Sequence, residues 1–309
     1  MSDDIDQNAF RDFERNAHDR LADTYHAFFA SVTEHAAQPL LAAAKVSERM
    51  RVLDVACGSG VVAMHAARRG ALVTGVDLAP RMLDLASRLN PDCTFREASV
   101  DSLPFDAGAF DAVVCAFGIG HFPDPPLAVA ECARVAREGS MCAFAWWDLP
   151  ARNRMHGVLL AALEEVNPKP PAELPAGPPL FRYSEDDAFR SLLESAGLSS
   201  VSVASHVFKW HLPNAEALWT GSMGCMARNS ALINAQTPEI RDRIRAAFIR
   251  HADEHRTADG LELPMAFKVC AGRRSICGSG LKASPEPRSD ASSRSPGRIR
   301  HSSVSSGTR

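Results

Sequence analysis

Val52-Leu53-Asp54-Val55-Ala56-Cys57-Gly58-Ser59-Gly60 is the stretch that decides the architecture of this chain. An apolar run carrying one acidic residue passes into a turn with two glycines. Glycine lets the backbone turn sharply and a ligand approach it closely, and a helix opening there offers free N–H groups. The next apolar run, Val73-Thr74-Gly75-Val76-Asp77-Leu78, again ends in a carboxylate. An acidic residue about 20 positions past the glycines, at the end of a second strand, suits the diol of a ribose.

Working outward, apolar runs alternate with helical patterns. Strands are expected at 51–56, 72–77, 93–97, 110–117 and 140–147. Helices are expected at 61–69, at 80–89 opened by Pro80, and at 127–137 stopped near Gly139. Strands alternating with helices imply βαβ units and a parallel sheet, and the nearly all-apolar run 110–117 suits a strand covered on both faces. Upstream, residues 9–46 read as N-terminal helices, with Leu21, Tyr25, Phe28, Phe29 and Val32 at spacings of three and four. Downstream the rhythm breaks. Residues 149–184 read as an irregular Pro-rich connection. Ser184, with Asp187 completing a capping box, is expected to open a helix ended by Gly197. A strand at 201–210, a helical insertion at 214–256 and a last strand at 265–271 follow. The folded domain is thus read as 1–272, and the Ser/Arg-rich 275–309 as a disordered tail or an out-of-frame extension, surplus to the fold.

The chain has 309 residues, of which 46% are hydrophobic and 23% charged. That suits a globular domain with a sizeable core. The formal charge of −3 conceals an asymmetry. Residues 275–309 hold five Arg and one Lys against one Glu and one Asp, a charge of +4, so residues 1–274 carry −7. A body that acidic is a poor general binder of nucleic acid. No apolar run reaches the roughly 18 residues of a membrane helix. The acidic start Met1–Asp6 lacks the apolar region of a signal peptide, so a cytoplasmic protein is expected. The eight cysteines show neither C-x-x-C pairs nor zinc-ligand spacing with histidine. They read as buried free thiols, and no metal site is expected.

Two nucleotide chemistries compete for the glycine turn. A nicotinamide dinucleotide-dependent oxidoreductase would read G-x-G-x-x-G, with Ala63 tolerated at the last position. Asp54 would then set a negative charge against a pyrophosphate. A cationic ligand suits it better, and S-adenosyl-L-methionine carries both an ammonium and a sulfonium.

Four stretches together resemble a known family: VLDVACGSG (52–60), VTGVDLAPRML (73–83), SLPFDAGAFDAVVCAFGIGHFPDP (102–125) and AECARVAREGSM (130–141). They are similar to class I S-adenosylmethionine-dependent methyltransferases of the type 11 domain, the small-molecule branch that includes quinone-biosynthesis enzymes. The resemblance spans about 20–147 and continues more loosely to 272. It implies an α/β Rossmann-like, doubly wound sheet of seven strands in the order 3-2-1-4-5-7-6, the last antiparallel, under a helical and Pro-rich cover. It further implies Gly58 and Gly60 under the methionine part, Asp54 on the ammonium, Asp77 on the ribose hydroxyls and Leu78 against the adenine. Val100 and Phe117 belong to the same pocket, and Tyr25 resembles a lid tyrosine. Ser99 stands where the family has a carboxylate for the adenine amine; a hydroxyl can still accept that bond. The Glu-x-Ser of quinone methyltransferases is replaced by Ala145-Trp146-Trp147-Asp148, so no quinone is named as acceptor. The implied reaction is methyl transfer to a small molecule, leaving S-adenosyl-L-homocysteine, with a non-catalytic cofactor-binding relative as the alternative outside catalysis.

For oxygen or nitrogen acceptors a base must take a proton. His121, after the fourth strand where parallel-sheet sites open, is the first candidate, and Asp148 the second. Trp146, Trp147, Trp210 and Trp219 are candidates for core packing or for walls of an acceptor pocket. Asp124-Pro125-Pro126 is similar to the Asp-Pro-Pro-aromatic motif of DNA and protein amino-methyltransferases. Here Leu127 follows, and the prolines read as the start of a helix.

Overall fold

A computed structural model describes residues 5–275. The proposed tail boundary falls at the end of that range, and the rest of the tail lies outside the described residues. The glycine-rich turn joins strand β1 (Arg51–Val55) to helix α2 (Val61–Arg68). The left-handed turn requires its glycine at position 60. Gly60 has φ +81°, and a Cβ there would lie 2.6 Å from the Asn90 side-chain nitrogen. Strands β2 (Leu72–Asp77), β3 (Thr94–Glu97), β4 (Phe110–Ala116) and β5 (Ala136–Trp147) lie parallel to β1, connected through α3 (Pro80–Leu89) and α4 (Pro125–Val135). Pro80 and Pro125 each occupy a first helical turn, and Asp124 caps α4 by accepting from the Leu127 N–H.

The chain continues through α5 (Arg154–Val166), α6 (Asp186–Ser195), β6 (Leu198–Leu212), α7 (Ala215–Cys225), α8 (Ala227–Asn234), α9 (Pro238–Asp253), the two-residue β7 (Arg256–Thr257) and β8 (Gly260–Arg274). The sheet order is β3-β2-β1-β4-β5-β8-β6. β8 runs antiparallel to both neighbours, and β7 pairs only with β8. With that short extra strand set aside, this is the expected order, a Rossmann-like doubly wound sheet. The core lies on both faces of β1, β4 and β5. Val52, Leu53, Val113, Val114, Phe144 and Trp146 are all fully buried there. Among the described residues no helix is long and apolar enough to cross a membrane, and the seven described cysteines are free thiols.

Four local expectations need correction. The N-terminal helices are one 37-residue helix, α1 (Gln7–Ala43), with Pro39 inside it. The helix holds because one face, from Phe29 through Val32, Ala36 and Leu40, packs into the core; burying such a side chain contributes roughly 1.5–3 kcal/mol, enough to offset a weak helix former. Second, α4 ends at Val135 and β5 starts at Ala136, earlier than Gly139 suggested. The strand absorbs Gly139, at φ +78°, through a register irregularity opposite Phe110–Ala112. Third, the connection 149–184 contains α5, which lies between Pro150 and the proline-rich stretch that follows its left-handed C-cap, Asn167. Fourth, Ser184 does not cap α6. Its hydroxyl is buried and donates to the Trp147 carbonyl (2.8 Å), and Glu185 takes the cap position without a side-chain bond.

Candidate active site

Two cavities open at the carboxyl ends of β1, β2 and β4, where parallel sheets place their ligands. The first, an open cleft of about 790 Å³, lies between the strand ends and the N-terminal half of α1. Asp77 sits on its wall. Its Oδ2 accepts the Gly58 N–H (2.9 Å) and its Oδ1 the Ala79 N–H (3.0 Å), which fixes the carboxylate while leaving lone pairs free. Gly58, at φ +52°, faces open space where a side chain would stand. Leu78, Val100 and Met82 supply apolar wall, and Phe117, at φ +58°, is held by stacking on Trp147 at 3.8 Å. A bulky residue in the left-handed region is strained, and such strain concentrates at functional sites.

At the far end of this cleft Ser99 donates to Asp101 Oδ2 (3.2 Å). Asp101 also lines the cleft. Arg11 of α1 holds its Oδ2 through two nitrogens (2.7 and 3.1 Å), while its buried Oδ1 has no partner. Arg15 reaches from α1 to the Leu78 carbonyl (3.1 Å) and to Glu97. The helix is therefore fastened across the cleft by its own arginines.

Beneath the glycine turn lies Asp54, 1% exposed. Neither of its oxygens has a hydrogen-bond partner of ordinary geometry. Burial, reinforced by nearby Asp77 and only partly opposed by the Ala63 amide, pushes its pKa up to about 8.

The second cavity, about 1200 Å³, adjoins the first. Glu14, His18, Tyr25, Phe117 and His121 line both. Glu14 Oε2 lies 2.9 Å from His121 Nδ1 and 3.4 Å from His18 Nδ1, and the two imidazoles meet edge to face at 5.0 Å. Burial alone would lower the His121 pKa; the charge and hydrogen bond of Glu14 outweigh it, and the net shift is upward. For Glu14 burial alone would raise the pKa, and the His121 partnership turns the shift downward. Donor atoms of Glu14, His18 and His121 lie within 4.8 Å of one another, so the trio has the composition to hold a metal ion, which the sequence reading did not foresee. Deeper in, His156 is 6% exposed; burial, with His121 adding, drives its pKa down to about 3, and its Nδ1 has no partner.

Of the residues singled out from sequence, Gly58, Asp77, Leu78, Ser99, Val100, Phe117, Tyr25 and His121 converge on the first cleft. Asp54 and Gly60 lie under the turn and outside the cleft wall. Asp148 is corrected: it is buried, ion-paired to Arg152 at 2.7 Å, and borders neither cavity. Trp146 and Trp147 line the second cavity, whereas Trp210 packs on Phe28 and Trp219 on Phe248. Glu14, His18, Asp101, His156 and Arg228 were missed. A signal existed for the first two, because Glu14, His18 and Tyr25 at i, i+4 and i+11 share one face of α1.

Residues 53–144 match the family described as a methyltransferase domain, the segment that holds nearly all of the four motifs. The chain is 43% identical over 100 residues to a ubiquinone biosynthesis O-methyltransferase of Paracidovorax citrulli, covering 30% of this chain and 42% of that protein. It is 35% identical over 159 residues to an uncharacterized protein of Mycobacterium tuberculosis, covering 49% and 56%. The chain thus spans about half the length of the curated relatives it matches. Phosphoethanolamine N-methyltransferase 2 of Haemonchus contortus, solved in complex with S-adenosyl-L-methionine, shares the fold at TM-score 0.52 and 15% identity, over 86% of this chain and 60% of that one.

Proposed function

We propose that this chain methylates a hydroxyl of a small-molecule acceptor, using S-adenosyl-L-methionine held in the first cleft. The observation that carries this reading is the junction of the two cavities at the Glu14–His121 pair. The cleft residues fit the cofactor. Asp77 accepts from the ribose hydroxyls, Leu78 and Met82 cover the adenine, and Gly58 permits close approach of the methionine part. The unpartnered, buried carboxyl group of Asp54 would favour a positive charge placed above the turn, which would draw off its proton. Ser99 presents its hydroxyl at the adenine end, and the free Oδ1 of Asp101 takes the amine hydrogen bond that Ser99 was expected to receive. Bound there, S-adenosyl-L-methionine would supply a methyl carbon activated by its sulfonium, with S-adenosyl-L-homocysteine as the leaving group.

The protein's own part is alignment, exclusion of water and proton removal. His121 donates Nδ1–H to Glu14 Oε2, which leaves Nε2 to accept the acceptor's proton. Tyr25 and Phe29, ring centroids 5.0 Å apart, close the roof from α1. A dinucleotide oxidoreductase fits less well, because the Asp77 carboxylate already takes the Gly58 N–H that a pyrophosphate would need. Calorimetric titration with S-adenosyl-L-homocysteine and with NADH tests the assignment. Saturable binding of the first and none of the second is expected; the reverse result would overturn it.

A further inference from the structure

The second cavity meets the first at Glu14, His18, Tyr25, Phe117 and His121. The class inferred below rests on the methyl-transfer reading, since it presumes that a hydroxyl is presented to His121. The walls are aromatic: Phe10, Phe29, Trp146, Trp147 and Phe181 surround the space, with Trp147 fixed between Phe117 at 3.8 Å and Phe29 at 5.5 Å. Rings so arranged favour a flat aromatic guest over a flexible chain.

Two polar groups in these walls have hydrogen-bonding capacity that the protein does not fill. The first is Arg228 of α8. Its half-buried guanidinium lies 5.8 Å over the Phe10 ring and donates to the Pro175 carbonyl. A guanidinium carries five N–H donors, and this one makes no ion pair among the described residues. Glu14, the nearby acid, already serves His121 and His18. A partly desolvated cation with unspent donors calls for an anion, and the fork of Arg matches a carboxylate in two-point fashion. The second is His156, whose Nδ1 is buried and unpartnered on the wall formed with Trp147 and Phe181. It offers one hydrogen bond to a substituent on the same guest.

We infer that the second cavity binds a hydroxylated aromatic carboxylate, its ring between Phe10 and the Trp146–Trp147 wall, its carboxylate on Arg228, and its hydroxyl beside His121. One uncompensated cation matches one negative charge. A phosphate dianion would leave excess negative charge beside Glu14 in a partly dry site.

The test uses the full chain, with tryptophan fluorescence and calorimetry as readouts, both of which register binding without turnover. 4-Hydroxybenzoate and 4-hydroxycinnamate are compared with their methyl esters and with 4-hydroxyphenyl phosphate, each with and without S-adenosyl-L-homocysteine. The acids should quench fluorescence saturably and bind at least about tenfold tighter than the esters. Arg228→Gln should abolish that preference while leaving S-adenosyl-L-homocysteine affinity unchanged, and Arg228→Lys should keep part of it. Esters binding as tightly as the acids, or an acid preference that survives Arg228→Gln, would overturn the inference. Tighter binding of the phosphate would overturn the choice of carboxylate. If S-adenosyl-L-homocysteine binds and the acids do not, the acceptor class fails alone. If the acids bind and S-adenosyl-L-homocysteine does not, the methyl-transfer reading fails while the acid site stands.

Discussion

Asp54 shows how one residue couples binding, stability and pH. Its pKa of about 8 exceeds that of an exposed aspartate near 3.9, so the folded state holds a proton that the unfolded chain releases. That contribution is fully present below about pH 4 and is lost as pH rises towards 8. Asp54→Asn should therefore raise the melting temperature, and by a larger margin at pH 8 than at pH 5. A cation placed above the carboxylate pulls its pKa back down. S-adenosyl-L-methionine binding at pH 7 should thus release protons, visible as heats that depend on the buffer's ionisation enthalpy, and the Asn variant should show none of this. Asp77→Ala should weaken S-adenosyl-L-homocysteine binding by at least about tenfold, since charge-assisted hydrogen bonds of about 1.5–3 kcal/mol are removed. His121 makes the opposite kind of pH claim. Its pKa is raised by Glu14, so kcat should climb as pH passes upward through a value above 6.5. Glu14→Gln should move that limb to lower pH, and His121→Ala should cut kcat by about 10²-fold with cofactor affinity kept. If the trio with His18 instead works through a bound ion, chelation abolishes activity and zinc restores it; under the proton-transfer reading, activity survives chelation.

At the scale of elements, α1 is both core helix and cover. Its C-terminal half is buried against the sheet, and its N-terminal half carries Glu14, Arg15, His18 and Tyr25 over the cleft. The first is held by apolar packing, and the second adds to its buried Phe10, Ala17 and Ala22 the ion pairs of Arg11 with Asp101 and Arg15 with Glu97. The Arg15–Glu97 pair is exposed and Arg11–Asp101 only partly buried, and ion pairs at the surface contribute little and are screened by salt, while the buried Phe10, Ala17 and Ala22 remain in place. Arg11→Ala with Arg15→Ala should therefore leave the melting temperature within about 2 °C while raising hydrogen exchange in residues 8–20, a local opening rather than global loss. The same helix shows why part of the site escaped the sequence reading. Glu14 and His18 look like ordinary solvated residues until the helix is laid across the strand ends. Conversely, Asp148 looked catalytic by its place after β5, and only the packing reveals Arg152 on it and no cavity beside it. Gly120 belongs to this scale too. A Cβ there would lie 2.2 Å from the Trp146 ring, so Gly120→Ala should displace the cavity wall and weaken acceptor binding more than cofactor binding.

Across the whole molecule, the alternation of apolar runs and helices specified βαβ units and a parallel sheet, and the glycine turn with Asp77 marked the end at which the first cleft opens. Both are local properties, written in periodicity and in backbone freedom, so they survive without knowledge of the fold. The far half was harder. α5, the true start of α6 and the shape of the cover depend on contacts between residues far apart in sequence, which propensity does not encode. Exchanging residues 149–256 between relatives should move acceptor preference, and a preference that stays with the sheet half would count against this division. The sequence by itself determined the alternation of strands and helices and the glycine turn, because these are local patterns, while the strand order came with the resemblance of its four motifs to a known family. The tertiary structure alone decided the acceptor side. Only folding brings Glu14 to His121 across 107 positions and sets Arg228 and His156 into one aromatic chamber, and partners so distant leave no spacing to read.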